Sequence, residues 1–537
     1  MIRITQLKLK IGHTTTDLEK KICRTLRIQE NCLRSYKIRR QSLDARKKPE
    51  LFYIYTIDAQ VSGENQILKR NKNKNIQKSD VRPYEYPVPG REPMTFRPVV
   101  VGSGPAGMFC ACLLAELGYR PVVLERGGRV DERLKDVEMF WKTGTLNPDS
   151  NVQFGEGGAG TFSDGKLNTL VKDPMGRNHK VLEWFVKYGA PEDILYVSKP
   201  HIGTDILIEV VKNMRLDLVN HGGEIRFHSQ VTDFIGDGKR LLGLNIKNTD
   251  SGKEEFWETQ TAVFAIGHSA RDTFQTLYTR GLQMEAKAFA VGVRIEHPQE
   301  MIDRAQYGGQ RRNGLPAASY KLTENLANGR SVYTFCMCPG GYVVNASSEE
   351  GRLAVNGMSY RSRAGRNANS AVIVTVRPED FPDGTPLSGV AFQRMLELKA
   401  FEIGNGKIPA QLFGDFCENR ASEGFGAIRP AMKGAFVPAN VRSIFPKELA
   451  DSIRQGIEAF DRRLPGYGNA DAVLSGVESR TSSPVRIFRD ESFQGSIRGI
   501  YPCGEGAGYA GGIASAAMDG LKTAESIVKR YRPFDMA

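Results

Sequence analysis

The sequence predicts an α/β fold: a parallel-sheet unit split around an inserted mixed α+β unit and preceded by a small basic α+β module. Three observations predict it. A buried strand, a glycine-rich turn and a helix follow one another from Pro98 to Gly118. A second strand, glycine-rich turn and helix lie near the C-terminus, from Ile500 to Gly520. Between them, from Gly281 to about Asn440, the βα alternation gives way to short strands rich in glycine and arginine.

The composition, 40% hydrophobic and 25% charged over 537 residues, is that of a globular chain of about three or four domains. It excludes collagen, low-complexity disorder and a disulfide miniprotein. No window reaches the ~18 uninterrupted apolar residues of a membrane span. Met1 to Leu9 alternates apolar and polar residues like a strand and lacks the apolar core of a secretory signal. A cytoplasmic protein without membrane contact is expected. None of the eight cysteines is spaced C-x-x-C, which counts against a zinc ribbon or a thioredoxin-type disulfide. No metal site is expected.

The net charge of +13 is local: residues 1 to 97 hold 22 Lys and Arg against 10 Asp and Glu, and residues 98 to 537 hold 52 against 51. Residues 1 to 82 form the basic module. It reads as a strand at Ile2 to Ile11, a helix opening near Thr16 and Asp17 and running to about Ile28, then two strands, the second at Leu51 to Ile57. The clusters Lys37 to Lys48, between those strands, and Lys69 to Lys74, beyond them, make an acidic protein or RNA a candidate partner. Tyr36, Phe52, Tyr53 and Tyr55 alternate as in a core strand and not as a base-stacking platform. Pro83, Pro87, Pro89 and Pro93, with Gly90 among them, mark an extended linker over residues 83 to 95.

Residues 96 to 280 open the split unit. Val99 to Val101, the turn Gly102-Ser103-Gly104-Pro105-Ala106-Gly107, a helix to Gly118 and a second strand ending at Glu125 match a Rossmann-like dinucleotide-binding βαβ unit. Gly102 permits the tight turn, Gly104 lets backbone approach a pyrophosphate, and Gly107 lets the helix pack on the strand. The helix N-terminus offers free N–H groups to the phosphates. Glu125 is placed to accept from ribose hydroxyls, and Arg126 and Arg133 offer positive charge to the pyrophosphate. A second G-x-G-x-x-G, Gly155 to Gly160, has no buried strand before it and no helix after it, so it is not a second nucleotide domain.

Near the C-terminus, Gly504, Glu505, Gly511 and Gly512 form a turn ahead of a small-residue helix that begins at Ile513 and Ala514. A second helix N-terminus suits the far end of a long dinucleotide, where it stabilises an anionic reduced flavin. With both motifs the chain resembles the glutathione-reductase-type FAD oxidoreductases. It resembles more closely a bacterial family of FAD-dependent dehydrogenases with a basic N-terminal extension and no established substrate. That likeness is carried by Phe154 to Leu167, Lys199 to Asp205, Gly267 to Asp272, Cys336 to Gly341 and Gly504 to Gly512. It implies FAD as cofactor, adenine against the strand end at Val231, and the turn at Ala265 to Gly267 beside the cofactor. It also implies Ser163, Gly165 and Lys166 near the flavin ring or ribityl chain. Ile266 and Glu505 stand where the wider group usually has threonine and aspartate. Electrons would come from NADH or NADPH bound transiently at the flavin face, or from a partner protein.

A flavin performs the electron transfer itself, so catalytic side chains should be few. His268 and His201, then His297, are candidate proton donors, because imidazole exchanges protons near neutral pH. Arg271, close behind His268, is a candidate anion binder. Cys336 and Cys338 lie two apart in a strand at Ser331 to Cys338, on one face, as a thiol pair near the flavin or as small buried residues. Cys110, Cys112 and Cys503 read as core; His179, His221 and His228 as surface or helix ends. Tyr509 is a candidate for stacking on the ring. Arg294, Arg311, Arg312, Arg361, Arg363 and Arg366 suit an acidic or phosphorylated substrate, or ordinary surface.

The expected function is that of an FAD-dependent oxidoreductase acting on a small molecule. Its Rossmann-like FAD-binding domain is discontinuous, at 96 to 280 and 441 to 537, with a substrate domain inserted at 281 to 440. An RNA-associated flavoprotein and a non-catalytic flavin-binding sensor are the competing readings.

Overall fold

The computed structural model describes residues 1–309 and 314–534, so Arg311 and Arg312 lie outside the described residues. The N-terminal module is an antiparallel sheet in the order Leu33–Lys47, Glu50–Val61, Ile2–Lys10, Ile76–Lys78. Leu18, Ile22 and Leu26 of the helix Thr15–Leu26 share a core with Ile2, Ile4 and Ile57. The helix starts earlier than Thr16, because Thr14 Oγ1 accepts from Asp17 N at 3.2 Å while Asp17 binds the Thr14 amide. It ends at left-handed Arg27, short of Ile28. The basic run from Lys37 is not a connection between strands but most of the edge strand Leu33–Lys47, where charged side chains are tolerated facing water.

The hairpin of these two strands reaches out of its module. Leu51 is buried in the core of the inserted unit. Tyr53 OH donates to Gly314 O at 2.7 Å and Lys48 Nζ to Ala305 O at 2.5 Å. Gln41 exchanges backbone hydrogen bonds with Tyr196 and Ser198 of the split unit. The proline-rich linker then runs along the helix Ile513–Arg530. Gly90 N donates to Val528 O at 2.8 Å, and a Cβ at Gly90 would stand 2.2 Å from Arg530 O, so only glycine fits there.

The split unit is built on a parallel sheet in the order Ile500–Pro502, Ala262–Phe264, Val99–Val101, Val122–Leu124, Glu224–Arg226. Its two halves therefore meet in one sheet, and the helices Pro105–Glu116 and Ile513–Arg530 share one buried core beside it. The inserted unit is a seven-stranded sheet, mostly antiparallel, whose middle strands are Ser331–Cys338, Asn367–Val376, Phe289–Pro298 and Val473–Glu478. The chain leaves the split unit through Met284–Ala286 and returns through Val485–Ile487, which pair side by side.

The return expected at residue 441 thus comes later. Leu449, Ile453 and Ile457 of the helix Lys447–Asp461 are buried in the inserted core, and Val473–Glu478 hydrogen-bonds to Phe289–Pro298 and Ile408–Leu412. These partners are distant in sequence, so no local composition marks the boundary. Among the described residues no helix is long and apolar enough to cross a membrane.

Candidate functional site

The C-terminal ends of the parallel strands open on a cavity, the position where open α/β sheets bind ligands. It runs from the turn after Val101 to the N-terminus of the helix Ile513–Arg530, and Cys336, Asn356, Glu478 and Arg480 close it from the inserted unit.

At one end the three turn glycines have separate tasks. Gly102 has φ 99°, and a Cβ there would lie 2.8 Å from Ala265 O. A Cβ on Gly107 would lie 1.9 Å from Gly102 O, so Gly107 packs helix on strand and does not face the cavity. Gly104, beside Pro105 and Ala106 in the lining, would meet nothing closer than Gly158 Cα at 3.9 Å. Ser103 is buried, its amide and hydroxyl donating to Glu125 Oε2 at 2.9 and 2.7 Å. Gly127 N and Gly155 N donate to Glu125 Oε1, each at 3.0 Å. Glu125, expected to serve a ribose, is thus occupied by protein donors and ties three loops together at the cavity wall.

Arg126 lines the cavity over the Phe154 ring and pairs with Asp272 at 2.8 Å; Val231, Ala265 and Gly267 line it nearby. Arg133 does not. It is fully buried and donates to the carbonyls of Asn151, Val152, Glu156 and Gly158 at 2.7 to 2.9 Å, so its charge holds the 151–158 loop and not a pyrophosphate. Burial lowers it to about 10.

At the other end, Gly511, Gly512 and Ile513 line the cavity, and a Cβ on either glycine would meet nothing within 4 Å. Ala514 is buried behind them. Gly504 does not line the cavity; a Cβ there would stand 2.6 Å from the Ala106 Cβ, so it fixes the approach of the two turns. Glu505 lines the cavity and burial pushes its carboxyl up to about 7. Tyr509, expected to stack on a ligand, is covered instead by the Arg489 guanidinium 3.7 Å from its ring. Cys503 is core, beside Thr523.

Of the candidate proton donors, His268 lines the cavity, but burial and the positive charges of Arg480 and Arg271 hold it down to about 3. It is a neutral hydrogen-bonding group, 3.0 Å from Ser269 Oγ, and not an acid at neutral pH. Arg271 is 3% exposed and engaged by Glu397 and Glu349, so it binds no ligand anion. His201 lies beside the cavity without lining it: its backbone pairs with that of Lys166, its Nε2 stands 3.2 Å from Arg361 O, and burial lowers it to about 4. His297 is buried against Tyr467 O at 2.7 Å, away from the cavity.

Ser163, Gly165 and Lys166 line the cavity beside Asp164. Lys166 Nζ is buried and ion-paired with Asp164 Oδ2 at 3.1 Å, without a hydrogen bond of good geometry. Cys336 also lines the cavity. The regular strand expected there is broken, since Cys336 has φ 43° and the register shifts between Phe335 and Cys338. Cys338 is buried behind it, its thiol 3.2 Å from Cys336 O. The neighbouring Cys338 thiol, with the positive charges of Lys166 and Arg294, draws Cys336 well below the ordinary thiol value, while Cys336 and burial drive Cys338 well above it.

The remaining arginines are held by protein acceptors: Arg294 by Glu478, Arg361 by Asp193, Arg363 by Asp164 and Arg366 by Pro430 O. Sequence reasoning missed Gln153, Asn356, Glu478 and Arg480 as cavity residues. Glu478 reaches the cavity through a strand paired with distant Phe289–Pro298, Arg480 follows just past that strand's end, and Asn356 comes from a strand paired with nearby Tyr342–Asn345. Phe154 lay within a motif already noted; Arg480 carried no local signal.

Comparison with known proteins follows the same division. The family described as "FAD-dependent protein, C-terminal domain-like" matches residues 288–481, and an NAD(P)-binding Rossmann-like domain matches residues 100–136. A domain family of unknown function matches residues 1–60. A Clostridium beijerinckii protein described as uncharacterized is 46% identical over 539 residues, 99% of each chain. Among solved structures, the flavin-dependent brominase Bmp2 is 12% identical with a TM-score of 0.37, over 80% of this chain and 79% of that one. Glycine oxidase from Bacillus cereus is 12% identical with a TM-score of 0.34, over 81% and 98%. At those TM-scores the likeness carries no argument about activity.

Proposed function

Because the chain belongs to one family with the Clostridium beijerinckii protein and carries the FAD-dependent C-terminal domain, we propose that it is an oxidoreductase passing a hydride or electron pair through FAD to a small-molecule substrate. One observation carries the reading: a single cavity joins the Gly102 to Gly107 turn to the second helix N-terminus at Gly512 and Ile513, with the inserted sheet over its far end. The bare glycines at 104, 511 and 512 leave the space a dinucleotide needs.

In this reading Gly104, Pro105, Ala106, Arg126 and Val231 hold the ADP half. Glu505, Gly511, Gly512 and Ile513 hold the ribityl and flavin half. FAD supplies the two-electron chemistry. The chain orients it, excludes water with the inserted sheet, and presents Lys166, Cys336 and Asn356 to the reacting face. NADH or NADPH binds transiently at that face. The basic module, tied to both other units through Gln41, Leu51 and Tyr53, serves as a clamp in this reading and not as an arm delivering RNA. Salt-dependent RNA binding by the full chain would favour the competing reading.

The test is an absorbance spectrum of the purified protein, followed anaerobically as NADH and then NADPH are added. Flavin bands near ~370 and ~450 nm that bleach with one donor are expected. Failure to bind FAD would overturn the proposal.

A further inference from the structure

We propose that the inserted unit carries an anion site of its own, a cleft that binds the phosphate group of a small phosphate monoester. The inference goes beyond the FAD reading and does not depend on it.

Three segments far apart in sequence build the cleft. The start of the helix Gln299–Tyr307, the loop from Arg363 to Asn367 and the turn from Ala427 to Arg429 line about 490 Å³, within the range of small-molecule sites. Three arginines belong to the lining: Arg363, Arg366 and Arg429.

Their partners decide what the cleft can take. Of the two acids in the lining, Glu300 pairs with Arg304 at 2.5 Å, and Asp303 Oδ1 accepts from Gln299 Nε2 and Ala318 N, each at 2.8 Å. Arg363 is paired with Asp164, yet its Nε is buried without a hydrogen-bond partner, a donor that a bound acceptor would satisfy. Arg366 and Arg429 are exposed and donate only to carbonyl oxygens, Arg366 Nη2 to Pro430 O at 2.7 Å and Arg429 Nη1 to Phe425 O at 3.2 Å. No carboxylate among the described residues pairs with either. A carbonyl steadies a guanidinium without cancelling its charge, and each fork keeps further donors. The helix adds charge of the same sign, since it begins at Pro298 without a side-chain cap and Pro298 and Gln299 line the cleft.

The loop is fixed in advance of binding. Arg363 is held at φ 49°, and a Cβ on Gly340 would lie 1.9 Å from Arg363 O, so backbone packs directly on backbone there. A phosphate monoester matches these donors. It carries nearly two negative charges above about pH 6 and offers three oxygens to guanidinium forks.

The test is a calorimetric titration of the full chain with phenyl phosphate at constant ionic strength. Saturable binding of one molecule per chain is expected, weakened on the order of 10-fold by Arg429→Gln and further by Arg366→Gln with Arg429→Gln. Arg429→Gln, on an exposed side chain, should keep the wild-type Tm. Lys37→Gln in the basic module should bind like the wild type. Benzenesulfonate, with the same ring and a single charge, should bind on the order of 10-fold less tightly. Titrations with and without added FAD should agree, which separates this cleft from the turn at 102–107 and from failure of the FAD reading. Binding abolished by FAD would place the phosphate in the larger cavity and overturn the proposal. So would absent binding, a double variant that binds like the wild type, or inorganic phosphate binding more tightly than the ester.

Discussion

Gly104 and Gly158 face each other so closely across the first turn that a Cβ on Gly158 would stand 2.9 Å from Gly104 Cα. Gly104 itself has open space before it, and that space is where the cofactor's pyrophosphate is expected. Gly104→Val should therefore fold with a Tm near that of the wild type yet bind FAD on the order of 100-fold more weakly, about 3 kcal/mol. Flavin absorbance after gel filtration reads the result, and full retention would sink the site assignment.

Arg133 should behave in the opposite way. Arg133→Met leaves the buried carbonyls of Asn151, Val152, Glu156 and Gly158 without donors, each costing about 1–3 kcal/mol where no water replaces the guanidinium. Urea unfolding should show a loss of roughly 3–5 kcal/mol, with flavin lost alongside. Lysine should rescue little, because one ammonium cannot span carbonyls that a guanidinium fork reaches. An unchanged urea midpoint in Arg133→Met would show that the loop is held by other means.

His268 is kept neutral by burial and by Arg480 and Arg271, at about 3. His268→Gln should therefore leave the pH profile of flavin reduction unmoved between about pH 5 and 8, even if the rate changes. A profile displaced within that window would mean that the imidazole titrates there.

Glu296 offers a cleaner titration away from the cavity. Burial raises it to about 7 while Oε2 accepts from Asn367 Nδ2 and Ala431 N. Its folded value exceeds the unfolded one, so the native state holds the proton more tightly. The stability this contributes is full below about pH 4.5 and is lost as pH rises through 7. Glu296→Gln keeps an acceptor for both donors and does not titrate. Measured by urea unfolding, the variant should gain on the wild type by about 3 kcal/mol between pH 4.5 and 8. A constant difference across that range would refute the assignment.

Leu51→Ala tests the clamp. The side chain is 6% exposed and sits in the core of the inserted unit, so its truncation should cost about 2–4 kcal/mol. The whole protein, not the N-terminal module alone, should show the loss as a lower Tm; a separate early transition confined to residues 1–82 would show that the module is not integrated.

What the sequence made legible was local and contiguous. The glycine turn at 102–107 and the one at 504–512 each place strand, turn and helix within some twenty residues, and both border the cavity. Roles that depend on three-dimensional partners were not legible. Nothing near Arg133 or Glu125 announces that loops from 151 to 158 will claim them, and Arg480 reaches the cavity through a strand whose partners lie far away in sequence. The cysteine pair shows both sides: its spacing was visible, but the break at Cys336 that leaves Cys336 lining the cavity and Cys338 buried behind it was not.

The edge strand Ile500–Pro502 also sets a timetable for biosynthesis. Its partner Ala262–Phe264 leaves the ribosome about 240 residues earlier, which at ~5–20 residues per second is roughly 12–50 s of synthesis. During that interval the nascent flavin-binding half lacks one edge of its sheet and the second helix N-terminus. The cavity is therefore completed late, as Ile500–Pro502 and the helix Ile513–Arg530 emerge.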